Sequence, residues 1–137
     1  MSVFFDTNVV VYSDDESCPQ KQLQATELLT GHLRSGTAVF SLQVLQEYFV
    51  AATRKLHVPA ETVQRKVEIL ARARIVRFEP ADIVAAIEFH RLHTVSFWDA
   101  LILHAARRAG ATVLYSEDLQ DGAVYGPVRV VNPFRTN

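Results

Sequence analysis

Short apolar runs alternate along the chain with longer segments of helical periodicity. Runs rich in β-branched and aromatic residues at 2–6, 38–40, 75–78 and 112–115 predict four buried strands, and 128–131 predicts a fifth. Such short continuous runs are typical of parallel strands covered by helices on both faces. The alternation therefore predicts an α/β fold around a mainly parallel sheet of four to five strands.

The segments between these strands carry helix start and stop signals. Ser41 and Ser96 occupy expected N-cap positions, Pro80 opens a helix, and Gly36 and Gly110 follow helix ends. The predicted helices cover residues 21–34, 42–56, 60–73, 80–93 and 97–109. Apolar spacing predicts that two of these helices bury a face, formed by Leu42, Leu45, Phe49 and Ala52 in one and by Ile83, Val84 and Ile87 in the other.

Composition narrows the class of protein. The 137 residues are 49% apolar and 21% charged, without repeats or linkers, which predicts a single domain over 1–137. One cysteine, Cys18, excludes an intramolecular disulfide and a cysteine-based zinc site. Asp6 interrupts the first apolar run, no Lys or Arg precedes it, and no run approaches the roughly 20 residues of a membrane span. We expect a soluble, cytoplasmic protein without a membrane partner.

The net charge of −1 does not by itself favour a nucleic-acid partner. If four carboxylates were held in a metal site, however, 14 Lys and Arg would face 15 − 4 = 11 remaining acids, a surplus of three. Net charge therefore neither supports nor excludes a nucleic-acid substrate.

Acidic residues follow two of the predicted strands directly. Asp6 ends the first strand, and Ser116, Glu117 and Asp118 follow the fourth. Functional groups of parallel sheets collect beyond the carboxyl ends of the strands. An isolated buried carboxylate is costly unless it is paired or bound to a metal, so Asp6 needs a partner or an exit from the strand.

Each acid also has a structural explanation. Asp6 can cap a turn or helix begun by Thr7 and Asn8, and Glu47 can lie on a solvated helix face. Asp99 stands three residues after Ser96, as in a capping box. The remaining acids can belong to a solvated turn, which contains Glu117, Asp118 and Asp121.

Convergence of these acids at one sheet edge favours function over the separate structural explanations. Carboxylates gathered without neighbouring bases repel each other, and a divalent cation keeps them ionised together. Oxygen ligands favour Mg²⁺ or Mn²⁺. Ser116 is placed to orient a neighbouring carboxylate or a water.

Other candidates have explanations of equal or greater weight. His90, His93 and His104 form a conceivable metal set, but helix-surface histidines are common and no carboxylate pattern joins them. Trp98 is either a core residue at a helix start or a platform on which a base stacks. Five arginines fit either phosphate-binding patches or solvated faces, namely Arg72, Arg74, Arg77, Arg107 and Arg108.

Four segments together carry a family pattern: FFDTNVVVY at the start, SLQVLQEYF around Glu47, VSFWDALIL around Asp99 and LYSEDLQDG near the end. In this order and approximate spacing, the chain resembles the PIN-domain nucleases, in particular the VapC-type toxins of bacterial toxin–antitoxin pairs. The resemblance covers nearly the whole chain. It implies a three-layer α/β/α sandwich and Mg²⁺- or Mn²⁺-dependent endonucleolytic cleavage, usually of RNA.

Residue by residue, the resemblance makes Asp6, Glu47, Asp99 and Asp118 the acidic quartet that binds the metal and carries catalysis. It gives Asn8 and Ser116 supporting positions, and Glu117 and Asp121 fit the EDLQDG ending. It further implies a homodimer and a small antitoxin whose tail covers the active site.

Two rival functions remain open. A haloacid-dehalogenase-type phosphohydrolase also begins with an aspartate after a strand, but it needs a second aspartate two residues on, where this chain has Asn8. A PIN-like module without catalysis would bind only RNA or a protein, and the acids at all four positions argue against it. No GxxxxGK[ST] or GxGxxG motif supports nucleotide-driven chemistry.

Overall fold

The computed structural model describes residues 1–135, so the last two residues of the predicted 1–137 domain lie outside the described residues. The strands within this range are β1 (Val3–Phe5), β2 (Ala38–Ser41), β3 (Arg74–Val76), β4 (Val113–Tyr115), β5 (Val124–Tyr125) and β6 (Val128–Val131). The helices are α1 (Thr7–Tyr12), α2 (Pro19–Ser35), α3 (Leu42–Arg54), α4 (Ala60–Leu70), α5 (Pro80–Leu92) and α6 (Phe97–Arg108).

The sheet has the strand order β3-β2-β1-β4-β6-β5, and β5 alone runs antiparallel to its neighbour. The chain first moves from β1 outward to β2 and β3, and then returns across the sheet to β4. The carboxyl ends of β1 and β4 therefore flank the point where the direction of winding reverses. In open parallel sheets, ligands bind at this crevice.

The reversal also distributes the helices. Because connections between parallel strands are right-handed, α1 to α4 cover one face of the sheet and α5 and α6 cover the other. Packing agrees, since α1 contacts α2 and α3, α3 contacts α4, and α5 contacts α6. The predicted α/β/α sandwich around a mainly parallel sheet is confirmed, with one more strand than expected.

One large hydrophobic cluster surrounds the sheet. Phe4, Phe5, Phe40 and Leu114 on the strands have no exposed surface, and Tyr48 of α3 packs against them with 1% exposure. This rigid core fixes the strand ends from which the acidic side chains project. Within residues 1–135, no helix combines the length and apolar character that a membrane span requires.

Helix α1 was not among the five predicted helices, although a turn or helix capped by Asp6 was the structural explanation offered for that residue. The segment TNVVVY is β-branched and apolar, which favours a strand, yet it forms a six-residue helix directly after β1. Asp6 caps that helix, and two of its own residues, Val9 and Val10, are fully buried. Burial against the core therefore outweighs the local β preference.

The predicted core faces of two helices are wrong in part. Ile83, Val84 and Ile87 of α5 are 42–55% exposed, because α5 contacts α6 through the buried Ala86 instead. In α3 the buried residues are Val44, Leu45, Tyr48 and Ala52, whereas Leu42 and Phe49 are exposed. Apolar spacing predicted both helices correctly but predicted part of each buried face at the wrong residues.

Candidate active site

Asp6 lies at the carboxyl end of β1 and is only 4% exposed. Its Oδ1 accepts a hydrogen bond from the backbone N–H of Thr7 at 2.7 Å, and its Oδ2 accepts one from Ser116 Oγ at 2.8 Å. Burial raises the pKa of Asp6 from 3.8 to about 6, although both hydrogen bonds oppose that rise. Asp6 is thus both the helix cap and a buried acid that a cation would stabilise.

The turn after β4 holds two more of the predicted residues. Ser116 is fully buried, and its Oγ accepts hydrogen bonds from the N–H groups of Asp118 at 3.1 Å and Leu119 at 3.4 Å. Asn8 Nδ2 donates to Asp118 Oδ2 at 2.8 Å. Ser116 and Asn8 therefore fix the turn and one oxygen of the Asp118 carboxylate.

Asp99 occupies the first turn of α6. Ser96 caps this helix by accepting a hydrogen bond from the Asp99 N–H at 3.1 Å. Burial raises the pKa of Asp99, the Ser96 hydroxyl opposes that rise, and the negative charges of Asp118 and Glu47 add to it. The cap and the site are compatible because the backbone of Asp99 serves one while its carboxylate serves the other.

Three carboxylates meet where the two helical layers face each other across the sheet edge. One oxygen each from Asp6, Asp99 and Asp118 lies within 4.8 Å of the other two. Within residues 1–135 this is the only such group of potential ligands. Hard, like-charged oxygens, two of which belong to acids whose pKa is raised (Asp6 and Asp99), suit a divalent cation such as Mg²⁺ or Mn²⁺, so the donor set fits the expected metal.

Glu47 lies beside this three-carboxylate cluster rather than within it. It is exposed on α3, and its Oε1 accepts hydrogen bonds from Thr7 Oγ1 at 2.8 Å and from Gln43 Nε2 at 3.4 Å. Among the described residues, Oε2 has no hydrogen-bond partner. Glu47 lines the same cavity as the cluster.

Glu117 and Asp121 point elsewhere. Glu117 pairs with Lys21 Nζ at 2.6 Å and accepts a hydrogen bond from Tyr12 at 2.9 Å. Asp121 accepts one from the N–H of Asn132 at 2.9 Å. Both residues secure the segment around the Asp118 turn and do not contribute to the three-carboxylate cluster.

A cavity of about 670 Å³ opens over the cluster. Besides the acids, its walls include Arg54 and Lys55 at the end of α3 and Trp98 at the start of α6. Neither basic residue was singled out from the sequence, and Trp98 was left undecided between a core residue and a stacking platform. For Arg54 the available signal was its spacing from Glu47 along α3, because positions 43, 47, 50 and 54 share one helix face.

The three histidines do not form a common site. His104 Nε2 lies 2.9 Å from Asp82 Oδ1, and His90 Nδ1 lies 2.7 Å from the carbonyl oxygen of Val95. His93 stacks on Phe89. Their contacts are structural and link α5 to neighbouring elements.

Solved structures share this fold. VapC20 of Mycobacterium tuberculosis, a toxin that cleaves the sarcin-ricin loop, is 20% identical, with a TM-score of 0.69 over 85% of this chain and 90% of that chain. A toxin–antitoxin complex from Klebsiella pneumoniae is 21% identical, with a TM-score of 0.69 over 98% and 100%. VapBC2 of Rickettsia felis, bound to a promoter DNA fragment, is 21% identical, with a TM-score of 0.63 over 95% and 97%.

Comparison with curated protein sequences found no match. The family model of the PIN domain matches residues 3–121, which include all three clustered carboxylates and Glu47. Because this match spans most of the sequence and the structural relatives have the same fold, the chain belongs to the PIN-domain family.

Proposed function

We propose that this chain is a metal-dependent endoribonuclease that hydrolyses phosphodiester bonds in RNA. Membership of the PIN-domain family supports a nuclease. The observation that carries the proposal is the convergence of Asp6, Asp99 and Asp118, from β1, α6 and the turn after β4, within 4.8 Å at the crevice of the sheet. Like charges so close together are costly without a cation.

In this proposal the cluster holds Mg²⁺ or Mn²⁺. When bound, such an ion lowers the pKa of a coordinated water and stabilises charge on the attacked phosphate. Asp6, Asp99 and Asp118 supply its protein ligands. Ser116 orients Asp6, and Asn8 orients Asp118, so that their carboxylates are held in place before the substrate arrives.

Glu47 has a separate role in this scheme. Thr7 and Gln43 both donate hydrogen bonds to its Oε1, which leaves Oε2 available in a side chain that lines the cavity. A carboxylate beside the metal ligands is suited to accept the proton of the attacking water or to bind the ion through a water. We therefore assign Glu47 to catalysis while the three clustered acids hold the ion.

We further propose that the protein is the toxin of a toxin–antitoxin pair. Two of its structural relatives are toxin–antitoxin assemblies and a third is a toxin, which supports the idea for a chain of the same fold. The expected partners are RNA as substrate, a second copy of the chain and a small antitoxin that covers the cavity. Co-purification with the product of an adjacent small gene, and the mass of the assembly in solution, test the two protein partners.

The test of the nuclease is cleavage of mixed cellular RNA by the purified protein, with and without Mg²⁺ or Mn²⁺. Cleavage is expected only with the metal, and Asp6→Asn and Asp99→Asn should reduce it by at least about a hundredfold. Asp121→Asn is the matched control, since Asp121 lies outside the cluster.

Two results contradict the proposal in different ways. Metal-independent cleavage, or full activity of both folded cluster variants, would show that this site does not carry the reaction. RNA that binds but is never cut, under all metal conditions, would instead favour a PIN-like module that only binds RNA or a protein.

A further inference from the structure

Trp98 is a large aromatic side chain in an unusual place. It is 61% exposed, although it immediately precedes a proposed metal ligand. Its ring packs edge-on against that of Phe97, with 5.3 Å between the ring centroids. The sequence left open whether Trp98 is a core residue or a stacking platform, and its exposure excludes a place in the core. Trp98 lines the cavity over the carboxylates together with the apolar side chains of Val50 and Ile102.

Two positive charges line the same cavity. Arg54 and Lys55 are exposed, and neither forms an ion pair within the described part of the chain. Arg54 lies seven residues after Glu47, which places it about 10 Å further along the same face of α3. Beyond the acids, the cavity thus continues into a positively charged end.

This combination is suited to a single nucleic-acid strand. Its phosphates need cations outside the acidic cluster, and its unpaired bases gain free energy by stacking on an exposed aromatic ring. A base-paired helix does not expose the faces of its internal bases, so a ring such as Trp98 selects unpaired nucleotides. Arg54 and Lys55 are placed to bind phosphates further along that strand.

We propose that Trp98 stacks on an unpaired base next to the cleaved phosphate and that Arg54 and Lys55 bind the flanking backbone. This inference rests on the proposed ribonuclease function, and it adds the part of the cavity that recognises the nucleotide.

The chain contains one tryptophan, so its fluorescence reports on Trp98 alone. A labelled, random-sequence pool of single-stranded RNA is titrated into the Asp118→Asn variant, in which loss of one proposed ligand slows turnover. Binding measured by anisotropy should be accompanied by quenching of the tryptophan emission. The same pool annealed into duplexes should bind more weakly and quench less.

Substitutions at Trp98 separate stacking from bulk. Trp98→Ala should weaken RNA binding by roughly 5- to 150-fold, the range expected for one lost base–aromatic stack. Trp98→Phe should retain most of the affinity, whereas Trp98→Leu, which keeps an apolar side chain without a ring, should behave like the alanine variant. Thermal unfolding verifies that each variant is folded.

The role of the two basic residues is tested by the salt dependence of RNA binding. The double variant Arg54→Gln/Lys55→Gln should lower the slope of log affinity against log salt by about 1.4, since each lost single-strand phosphate contact contributes about 0.7. Arg34→Gln/Arg65→Gln removes the same charge from exposed positions outside the cavity and should leave the slope unchanged.

The outcomes distinguish this inference from the proposed function. RNA cleavage that persists without quenching, with equal binding by the alanine and phenylalanine variants, overturns the role of Trp98 and leaves the nuclease intact. A fluorescence change that follows protein concentration but not RNA assigns Trp98 to a contact between copies and also overturns the inference. Failure to bind or cut any RNA overturns both proposals.

Discussion

Asp6 combines a structural role, as the cap of α1, with a proposed role as a metal ligand. Its carboxylate caps α1 and accepts the hydroxyl of Ser116, while its burial raises its pKa to about 6. A neutral side chain would serve the cap at lower cost. The proposed cation site therefore explains an aspartate at this position, which the local structure alone does not require.

The raised pKa of Asp6 predicts a pH-dependent stability in the absence of divalent ions. The pKa of Asp6 is about 6 in the folded state, against 3.8 for a free aspartate, so the folded state binds the proton more tightly. The resulting contribution to the free energy of unfolding is fully present below pH 3.8 and is lost as the pH rises through 6. The loss corresponds to about 3 kcal/mol. Asp6→Asn cannot ionise, so its stability relative to the wild type should rise by about that amount across the interval.

Urea unfolding with a chelator present, at pH values on either side of this interval, measures the effect. Asp121→Asn provides the comparison, because Asp121 is an acid outside the cluster. A constant difference between Asp6→Asn and the wild type at all pH values would contradict the assignment of the raised pKa.

Ser116→Ala removes a buried hydroxyl that connects two acids. The hydroxyl donates to Asp6 and accepts from the N–H groups of Asp118 and Leu119, so its loss should lower the free energy of unfolding by about 1–3 kcal/mol. It should also weaken Mg²⁺ binding, because Asp6 loses its orienting donor. Ser35→Ala, at an exposed helix end, should change stability by less than about 0.5 kcal/mol. Denaturant unfolding and metal titration of both variants provide the measurements.

Sequence patterns located the acids but not every contact among them. The positions of Asp6, Asp99 and Asp118 after strands and at a helix start were sufficient to predict their convergence. The hydrogen bond from Thr7 to Glu47 and the pairing of Glu117 with Lys21 join positions 40 and 96 residues apart. Such contacts depend on the packing of α1 and α2, which no local pattern specifies.

At the level of secondary structure, helix ends were predicted better than helix orientation. Caps such as Ser41 and Ser96 act locally, and both are found where expected. The buried face of a helix depends on its neighbours instead. In α5 the small side chain of Ala86 permits close contact with α6, and the larger apolar residues face outward.

The orientation of α5 predicts opposite outcomes for two glutamine substitutions. Val84 is 55% exposed, so Val84→Gln should change the free energy of unfolding by less than about 0.5 kcal/mol. Ala86 is fully buried, and Ala86→Gln should cost about 1–3 kcal/mol or more through overpacking. Urea unfolding at low protein concentration compares them. Equal costs would mean that α5 is rotated differently.

Across the whole molecule, the site joins two helical layers that are otherwise separated by the sheet. Asp99 comes from α6 on one face, whereas Glu47 comes from α3 on the other. Asp6 and Asp118 stand at the ends of the strands between them. A cation held by these residues would therefore stabilise the folded chain as a unit.

Mg²⁺ or Mn²⁺ should accordingly raise the free energy of unfolding near neutral pH. At a concentration of 100 times the dissociation constant, the expected gain is about 2.7 kcal/mol. Asp99→Asn should lose most of this gain, and Asp121→Asn should keep it. Unfolding curves with and without the ion measure the difference, and an equal gain in both variants would argue against the three-carboxylate cluster as the binding site.

Both edge strands of the sheet, β3 and β5, are short. β3 has three residues, and β5 has two, with Gly122 and Gly126 at positive φ on either side of it. An edge strand of this length offers few unpaired backbone N–H and C=O groups to another chain. The sheet can therefore keep its apolar parallel strands in the interior without presenting a template for edge-to-edge aggregation.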